Sequence, residues 1–423
     1  MADSRVKLTK DNILLIIVAG VASYLDAALL VSLGVALPLW TKAMQLNSWE
    51  VGLISTLLTL SVAAGSFVGG WLSDRLGRVT VFNFDIFFVS VGALVIGLAS
   101  SFYVLLGGTI IAGLASGADL PTSLAVISER MSKETYGRAI SSTQIFWTMG
   151  ILLSQFIGFL TATSAHSTLF LFGWIALVAF VNWCVRVFSK QIKGIESHVV
   201  PDTGAAMEAD EQAGEKHSLR ELLSQGHFLL PLVLLTVFYL FWNLPANTWG
   251  SFVNYFLVTV DGRSQAYSTV IALVANLVCL AFNLVYVRLA DTKYRYPVMY
   301  LGIAIAFVSF VLAGIFSEKW QVFTIAYICY SGSTVLCGEA LYKIWNQTFY
   351  PVSARATMTG FSYGIVRALT AMFSLVTPTL MAYSPKLLLW VLVGCTVIFG
   401  TVAILITQLL KRRGLTESAT SKA

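Results

Sequence analysis

Two carboxylate side chains lie inside long apolar runs of this sequence. Asp26 is near the middle of the first run and Asp119 is in the fourth. A charge at the centre of a bilayer costs at least about 2.5–3.5 kcal/mol, so such residues usually face a cavity or a partner. Asp26 has no basic residue in its own run, so we expect it to carry a proton, with Asp119 as the second candidate. The alternative is a fixed ion pair between Asp26 and Lys343 or Arg367.

Amide, hydroxyl and aromatic side chains recur at helical spacing in the same runs, which places them on common helix faces. Amides beside flat aromatic rings suit a polyhydroxylated ligand such as a sugar or cyclitol. The alternative is hydrogen bonding between helices, which contributes about 0.6–2 kcal/mol per bond without any ligand. Glu339 and Lys343, four residues apart, could simply neutralise one another. The candidate solute-binding residues are Gln144, Trp147, Gln155, Asn243, Asn247, Trp249, Asn276, Glu339, Lys343, Asn346 and Arg367.

A charged glycine turn at residues 69–78 joins the second and third apolar runs. A second copy lies at 289–295, so the chain reads as two repeats of one helical membrane unit, a pattern typical of transporters. We expect its charges to pair at the helix ends and to separate when the helices rock. The alternative is a basic loop that only fixes topology. The gating candidates are Asp74, Arg75, Arg78 and Arg138, with Asp291, Arg295 and Arg355, of which Asp74, Arg78 and Arg138 have counterparts 217 residues later in Asp291, Arg295 and Arg355.

The composition requires a membrane. Of 423 residues, 57% are hydrophobic and 11% are charged, with a mean hydropathy of +0.79. No soluble fold of this size has such a composition. We therefore predict an all-α membrane protein with a six-helix bundle at 1–188, a cytoplasmic linker at 189–227, a second bundle at 228–410 and a cytoplasmic tail at 411–423. The twelve predicted spans are 12–39, 49–72, 79–100, 102–127, 138–161, 167–188, 228–258, 265–289, 296–316, 319–347, 354–381 and 386–410.

The basic residues lie mostly on one side of these spans, which predicts that both termini are cytoplasmic. We count Arg186 among the basic residues of that side and expect Asp85 to pair with basic residues of the loops. The net charge of +6 then reflects topology rather than nucleic-acid binding. The five cysteines have no metal-ligand spacing, and no phosphate-binding glycine loop occurs. We expect no cofactor, no metal and no enzymatic activity, and a monomer surrounded by lipid.

The motifs resemble those of the major facilitator superfamily. Residues 70–78 match that family's loop between helices 2 and 3, and residues 107–138 and 345–356 are similar to its sugar-porter branch. Residues 24–28 and 117–121 look most like bacterial inositol-type transporters. The resemblance implies two six-helix bundles, a central site and alternating access in a cytoplasmic membrane. The arginine that proton-coupled sugar porters carry in helix 4 corresponds to Thr109 here.

These observations predict proton-coupled uptake of a sugar or polyol, with inositol as the first choice. The second hypothesis is a carrier of sugar acids or other organic anions, in which Lys343 or Arg367 holds the carboxylate. A drug exporter is third, because amide-rich stripes do not suit a greasy pocket. A sensor on the same fold that moves no solute is the remaining alternative.

Overall fold

The first half of the chain forms six long helices, as its apolar runs predict. Lipid offers the backbone no hydrogen bonds, so a spanning segment must satisfy its own, which a helix does. We analysed a computed structural model, which describes residues 10–76, 78–130, 133–192, 226–289, 294–350 and 352–414. The helices of this half are α1 (Lys10–Met44), α2 (Ser48–Leu76), α3 (Arg78–Gly97), α4 (Phe102–Arg130), α5 (Lys133–Leu160) and α6 (Ser167–Phe188).

The second half repeats this arrangement with one interruption. The tenth predicted span, 319–347, is wrong as a single helix because it breaks at Cys337 and Gly338. Gly338 leaves the helical backbone, with φ −118° and ψ −131°. The ring of Trp242 comes so close that a Cβ on Gly338 would lie 2.3 Å from it, so only glycine fits there. The helices are α7 (Gly226–Tyr255, continued by a π-helical turn at Phe256–Val260), α8 (Gln265–Leu289), α9 (Arg295–Ile315), α10 (Trp320–Leu336), α11 (Glu339–Phe349), α12 (Val352–Tyr383) and α13 (Pro385–Arg412).

The chain divides into two compact units, Met1–Glu211 and Gln212–Ala423. In the first, α1 packs on α5 and α6, α2 on α4, and α3 on α4 and α6. In the second, α7 packs on α12 and α13, α8 on α10, and α9 on α10 and α13. The same spans therefore pair within each unit, which agrees with the predicted repeat. Most of the predicted linker, 193–225, and the end of the predicted tail, 415–423, lie outside the described residues.

Glycines bring α2 and α4 into backbone contact. A Cβ on Gly65 would lie 2.1 Å from the carbonyl oxygen of Leu114, and one on Gly117 would lie 2.0 Å from that of Val62. The hydroxyl of Ser66 donates a hydrogen bond of 3.0 Å to the carbonyl of Gly117 across the same contact. This close packing holds the middle of α4 in a fixed position, and Asp119 follows two residues later.

Candidate functional site

The N-terminal unit contains a buried ion cluster in which Arg186 of α6 is central. Its side chain is 0% exposed. Its Nη1 atom lies 2.7 Å from Oδ1 of Asp119, and Nη2 lies 3.3 Å from Oδ2, so the guanidinium group binds both carboxylate oxygens. Arg186 also donates to the main-chain carbonyls of Val18 and Phe82, and its guanidinium carbon stacks 3.6 Å from the centre of the Phe82 ring. Helices α1, α3, α4 and α6 are thus joined at one side chain.

A second carboxylate, that of Asp85 on α3, belongs to the same cluster. Its Oδ1 atom lies 3.5 Å from Nη1 of Arg186 and accepts a 2.7 Å hydrogen bond from the main-chain N–H of Ile86. Its Oδ2 atom is buried and has no hydrogen-bond partner among the described residues. Ser123 donates a 2.9 Å hydrogen bond to Oδ1 of Asp119. The three ionisable groups sum to one negative charge when both carboxylates are ionised.

Asp26, the first predicted proton carrier, is half-buried on α1 and accepts a 3.2 Å hydrogen bond from Ser116 of α4. Ser116 and Asp119 are three residues apart and therefore share a helix face. The two predicted proton carriers are therefore about one turn apart along α4: Asp26 contacts it at Ser116, and Asp119 belongs to it. Thr109, where the sugar-porter pattern has arginine, is buried and donates a 2.8 Å hydrogen bond to the carbonyl of Leu105.

In the C-terminal unit, two predicted amides join α7 to α12. Thr370 donates to Oδ1 of Asn243 at 3.3 Å, and Asn247 donates to the hydroxyl of Ser374 at 2.7 Å. Both partners on α12 are four residues apart, as are both asparagines, so one turn of each helix is matched to the other. These bonds also hold the aromatic side chains of α7 in register with α12.

Aromatic rings from α7, α11 and α12 form one cluster, which we call the aromatic wall (Tyr239, Trp242, Tyr342 and Tyr363). Tyr239 stacks on Tyr342 with ring centres 4.3 Å apart and on Trp242 at 5.7 Å. Tyr363 packs against Tyr239 at 5.0 Å. The phenol of Tyr363 donates a 3.0 Å hydrogen bond to Glu339, the first residue after the break in the tenth span.

Glu339 pairs with Lys343 at 2.8 Å, as their spacing suggested, yet neither side chain is enclosed. Glu339 is 43% exposed and Lys343 is 59% exposed at the surface of this unit. Arg367, one turn after Tyr363 on α12, is also exposed. The structure therefore brings three of the predicted charged residues to the edge of the aromatic wall.

The other predicted binding residues have different surroundings. Trp249 is 2% exposed and packs against Phe256 and Phe323, with ring centres 5.5 and 5.0 Å away. Asn276 and Asn346 each donate a 2.8 Å hydrogen bond to a carbonyl of their own helix. Of α5, Gln155 is 3% exposed, Trp147 is half-buried and the side chain of Gln144 is not described.

Of the predicted gating charges, Arg295 is the one whose side chain the structure describes. Arg295 begins α9 and is 4% exposed. Asp291 lies outside the described residues, as do the side chains of Asp74, Arg75, Arg78, Arg138 and Arg355. Their pairing stays a prediction.

Sequence reasoning missed three features of these sites: the burial of Arg186, its pairing with Asp85, and Tyr239. Arg186 lies two residues from the end of α6, so it was assigned to the membrane surface, whereas its side chain turns into the bundle. Asp85 lies 3.5 Å from this buried arginine, a partner that the sequence analysis places at the membrane surface. The one signal in the sequence for a buried Arg186 is charge balance, because two intramembrane acids in one half require a cation nearby. Tyr239 could have been found from its four-residue spacing to Asn243.

A family model described as Major Facilitator Superfamily matches residues 16–375. The chain belongs to the Major Facilitator Superfamily. Among curated relatives, the minor myo-inositol transporter IolF of Bacillus subtilis (strain 168) is 25% identical over 392 residues, which are 90% of this chain and 87% of IolF. The putative niacin/nicotinamide transporter NiaP of the same organism is 29% identical over 157 residues, which are 37% of this chain and 35% of NiaP.

Solved structures of the superfamily share the fold. The crystal structure of a D-xylose-proton symporter matches with a TM-score of 0.72 and 16% identity, covering 96% of this chain and 98% of that one. The inward open conformation of the xylose transporter XylE from E. coli gives a TM-score of 0.72 and 14% identity, covering 92% and 95%. The predicted architecture of twelve spans in two bundles is confirmed. The chain is a multi-pass membrane transporter and not an enzyme.

Proposed function

We propose that this superfamily member is a symporter that takes up a sugar or polyol together with a proton, by alternating access across a cytoplasmic membrane. The observation that carries the proposal is the aromatic wall with Glu339 at its edge. A carboxylate and an ammonium group that are 43% and 59% exposed within a predicted span need water or a ligand beside them. We therefore infer that this face of the C-terminal unit lines a wet cavity.

The chemistry of the wall suits a polyhydroxylated solute. Tyrosine and tryptophan rings cover the apolar faces of a sugar ring, while their polar ends and the carboxylate of Glu339 bind hydroxyl groups. The likeness to a myo-inositol transporter over 90% of the chain supports a cyclitol as the first substrate to test. The asparagine pairs between α7 and α12 keep the rings in place and supply amide groups beside them.

Proton coupling is assigned to the N-terminal unit, where Asp26 and Asp119 lie on neighbouring helices. One proton that crosses a potential of 100 mV releases about 2.3 kcal/mol, enough for roughly fifty-fold accumulation of a neutral solute. Asp26 is half-buried and can therefore exchange a proton more readily than Asp119, whose side chain is 1% exposed.

The test is uptake of labelled myo-inositol into proteoliposomes under an imposed pH gradient. We expect accumulation that a protonophore abolishes, and we expect Asp26→Asn to abolish accumulation while exchange of internal for external inositol continues. Asp11→Asn, which changes an exposed acid of the first turn of α1, is the matched control. Accumulation by the Asp26→Asn protein equal to that of the control would remove Asp26 from the mechanism.

A second candidate is transport of a sugar acid or another organic anion. The exposed guanidinium group of Arg367 favours it, because Lys343 is already paired with Glu339 whereas Arg367 has no ion-pair partner at salt-bridge distance among the described residues. This function would be favoured if glucuronate, but not neutral polyols, competes with the transported solute for uptake, and if Arg367→Gln abolishes the competition by glucuronate. Competition by neutral polyols that Arg367→Gln leaves intact would exclude it.

A further inference from the structure

The cluster of Asp85, Asp119 and Arg186 contains one more negative charge than positive charge and is almost fully buried. A buried charge without a partner is costly, so a cluster of this kind tends to recruit a counter-charge. Oδ2 of Asp85 is the atom that lacks a partner, and the Oδ1 atoms of Asp85 and Asp119 lie 3.5 and 2.7 Å from the same Nη1 atom of Arg186. The missing positive charge therefore belongs between these two carboxyl groups.

Among the side chains that the structure describes around Asp85, Arg186 is the one that supplies a positive charge. Asp119 faces it from α4 and Arg186 from α6. On its outer side Asp85 borders a cavity of about 530 Å³ between α2, α3 and α4, and the other lining residues are apolar except for Thr80. The lining residues of α2 are Gly65, Val68, Gly69 and Leu72, none of which titrates.

The repeat shows that the fold itself does not need these ions. At the same 217-residue offset, Asp85, Asp119 and Arg186 correspond to Gly302, Leu336 and Ala403. The equivalence holds in space, since a Cβ on Gly302 would lie 2.8 Å from Cβ of Leu336, and all three counterparts are buried. The second unit therefore has apolar residues at the equivalent positions. Proteins in which apolar residues replace a buried ion cluster are often as stable as those with the cluster. The ionic version in the first unit calls for a functional reason.

We propose that Asp85 and Asp119 bind one proton between them, opposite Arg186, and that this pair is a proton-binding site of the transporter. Two carboxyl groups that share one proton have a net charge of minus one, which the guanidinium group balances. The shared proton removes one of the two buried carboxylate charges. Arg186 is the positioning residue, because it fixes Asp119 through two hydrogen bonds.

A proton fits this site better than a metal ion does. The carbonyl oxygens of Val18 and Phe82, which could serve as ligands for sodium, already accept hydrogen bonds from Arg186. To reach these oxygens, a metal ion would have to displace the guanidinium group. The metal ion would then lie beside the positive charge of that group. A shared proton needs only the two carboxyl groups.

The position of the pair suggests how it serves transport, and this part rests on the proposed function. Ser116, which bonds to Asp26, lies one turn before Asp119 on α4. Asp85 is seven residues from the start of α3, about 10 Å along the helix at 1.5 Å per residue. The pair of Asp85 and Asp119 can therefore accept a proton that leaves Asp26 and moves towards the end of the unit where α3 begins.

Infrared spectroscopy of the purified, full-length protein in liposomes tests the site without any transport. At pH 7 we expect the C=O band of a buried carboxylic acid, and its loss in both Asp85→Asn and Asp119→Asn, because either change leaves one carboxylate balanced by Arg186. Asp11→Asn should retain the band. Absence of the band from the unaltered protein, or its survival in both asparagine variants, would overturn the proposal.

Two further measurements distinguish this proposal from metal binding at the same site and from the proposed symport. If sodium chloride removes the band and choline chloride does not, the site binds a metal ion and the proton assignment is wrong. If the band behaves as expected but inositol uptake ignores the pH gradient, the proton site stands and the proposed symport fails. If uptake is proton-coupled and Asp85→Asn leaves both the band and the pH dependence of uptake unchanged, this inference fails and the symport stands.

Discussion

Replacing Arg186 by glutamine is expected to destabilise the N-terminal unit severely. The change keeps a polar side chain but removes the charge that faces Asp119 and Asp85. It also removes donors to the carbonyls of Val18 and Phe82, which lie on two other helices. Removing one partner of a buried ion pair strands the other charge, and this costs about 3–5 kcal/mol in proteins.

The distances show which partner contributes most. At an effective dielectric constant of about 20, unit charges 2.7 Å apart attract by about 6 kcal/mol and charges 3.5 Å apart by about 5 kcal/mol. Desolvation offsets most of either term, so the net loss stays near the value above. We expect Asp119 to couple to Arg186 more strongly than Asp85 does, since it accepts two hydrogen bonds from it.

The assay is thermal unfolding of the detergent-solubilised protein. A loss of 3–5 kcal/mol corresponds to a fall of roughly 6–20 °C in the melting temperature of a unit of this size. Lys190→Gln, which changes an exposed lysine just after α6, is the control and should move it by less than about 2 °C. Adding Asp119→Asn to Arg186→Gln should recover part of the loss. An Arg186→Gln protein as stable as the control would refute this reasoning.

Three other changes test other parts of the structure. Gly338→Ala places a Cβ 2.3 Å from the ring of Trp242 and 2.5 Å from the carbonyl oxygen of Thr334, so we expect a loss of about 1–3 kcal/mol and slower uptake, with the smaller ring of Trp242→Phe relieving only the part due to the ring. Gly117→Ala meets the backbone oxygen of Val62 at 2.0 Å, where no side chain can yield, so its loss of thermal stability should be at least as large. Burial raises the pKa of Asp261, just outside the span of α7, from 3.8 to about 6, although Arg263 opposes the shift. The folded protein therefore binds this proton more tightly than the unfolded chain, so its stabilising contribution is complete below pH 3.8 and is lost as the pH rises through about 6. Asp261→Asn should remove that part of the pH dependence of unfolding, and an unchanged pH profile would contradict the assignment.

The sequence predicted the parts of the fold that depend on local composition and repetition. Eleven of the twelve spans predicted from the length of apolar runs are single helices in the structure, because few other backbone structures are stable in lipid. The 217-residue offset predicted that the two halves would pair their helices in the same way, which the helix contacts confirm. Helical spacing also placed Asn243 and Asn247 on one face, and both meet partners on α12.

The remaining features depend on contacts between residues far apart in the chain. The break at Gly338 has no proline to mark it, and one of the contacts that favour glycine there is the ring of Trp242, 96 residues earlier. Arg186 looked like a surface residue because only distance to the helix end was visible. Its inward direction follows from Asp119, 67 residues away, and from the carbonyl of Phe82.

The two halves share helix pairing but differ in where they place charge, and this difference bears on how such a transporter divides its work. Asp26 corresponds to Asn243 in the second half, and an amide cannot take up a proton at neutral pH. Conversely, Glu339 and Tyr363 correspond to Thr122 and Phe146 in the first half. A duplicated unit starts with two equal copies of every site, and a charge in the membrane persists only where it is used. In the proposed symport, the acids of the first half and the aromatic wall of the second are separate specialisations, one for the proton and one for the solute.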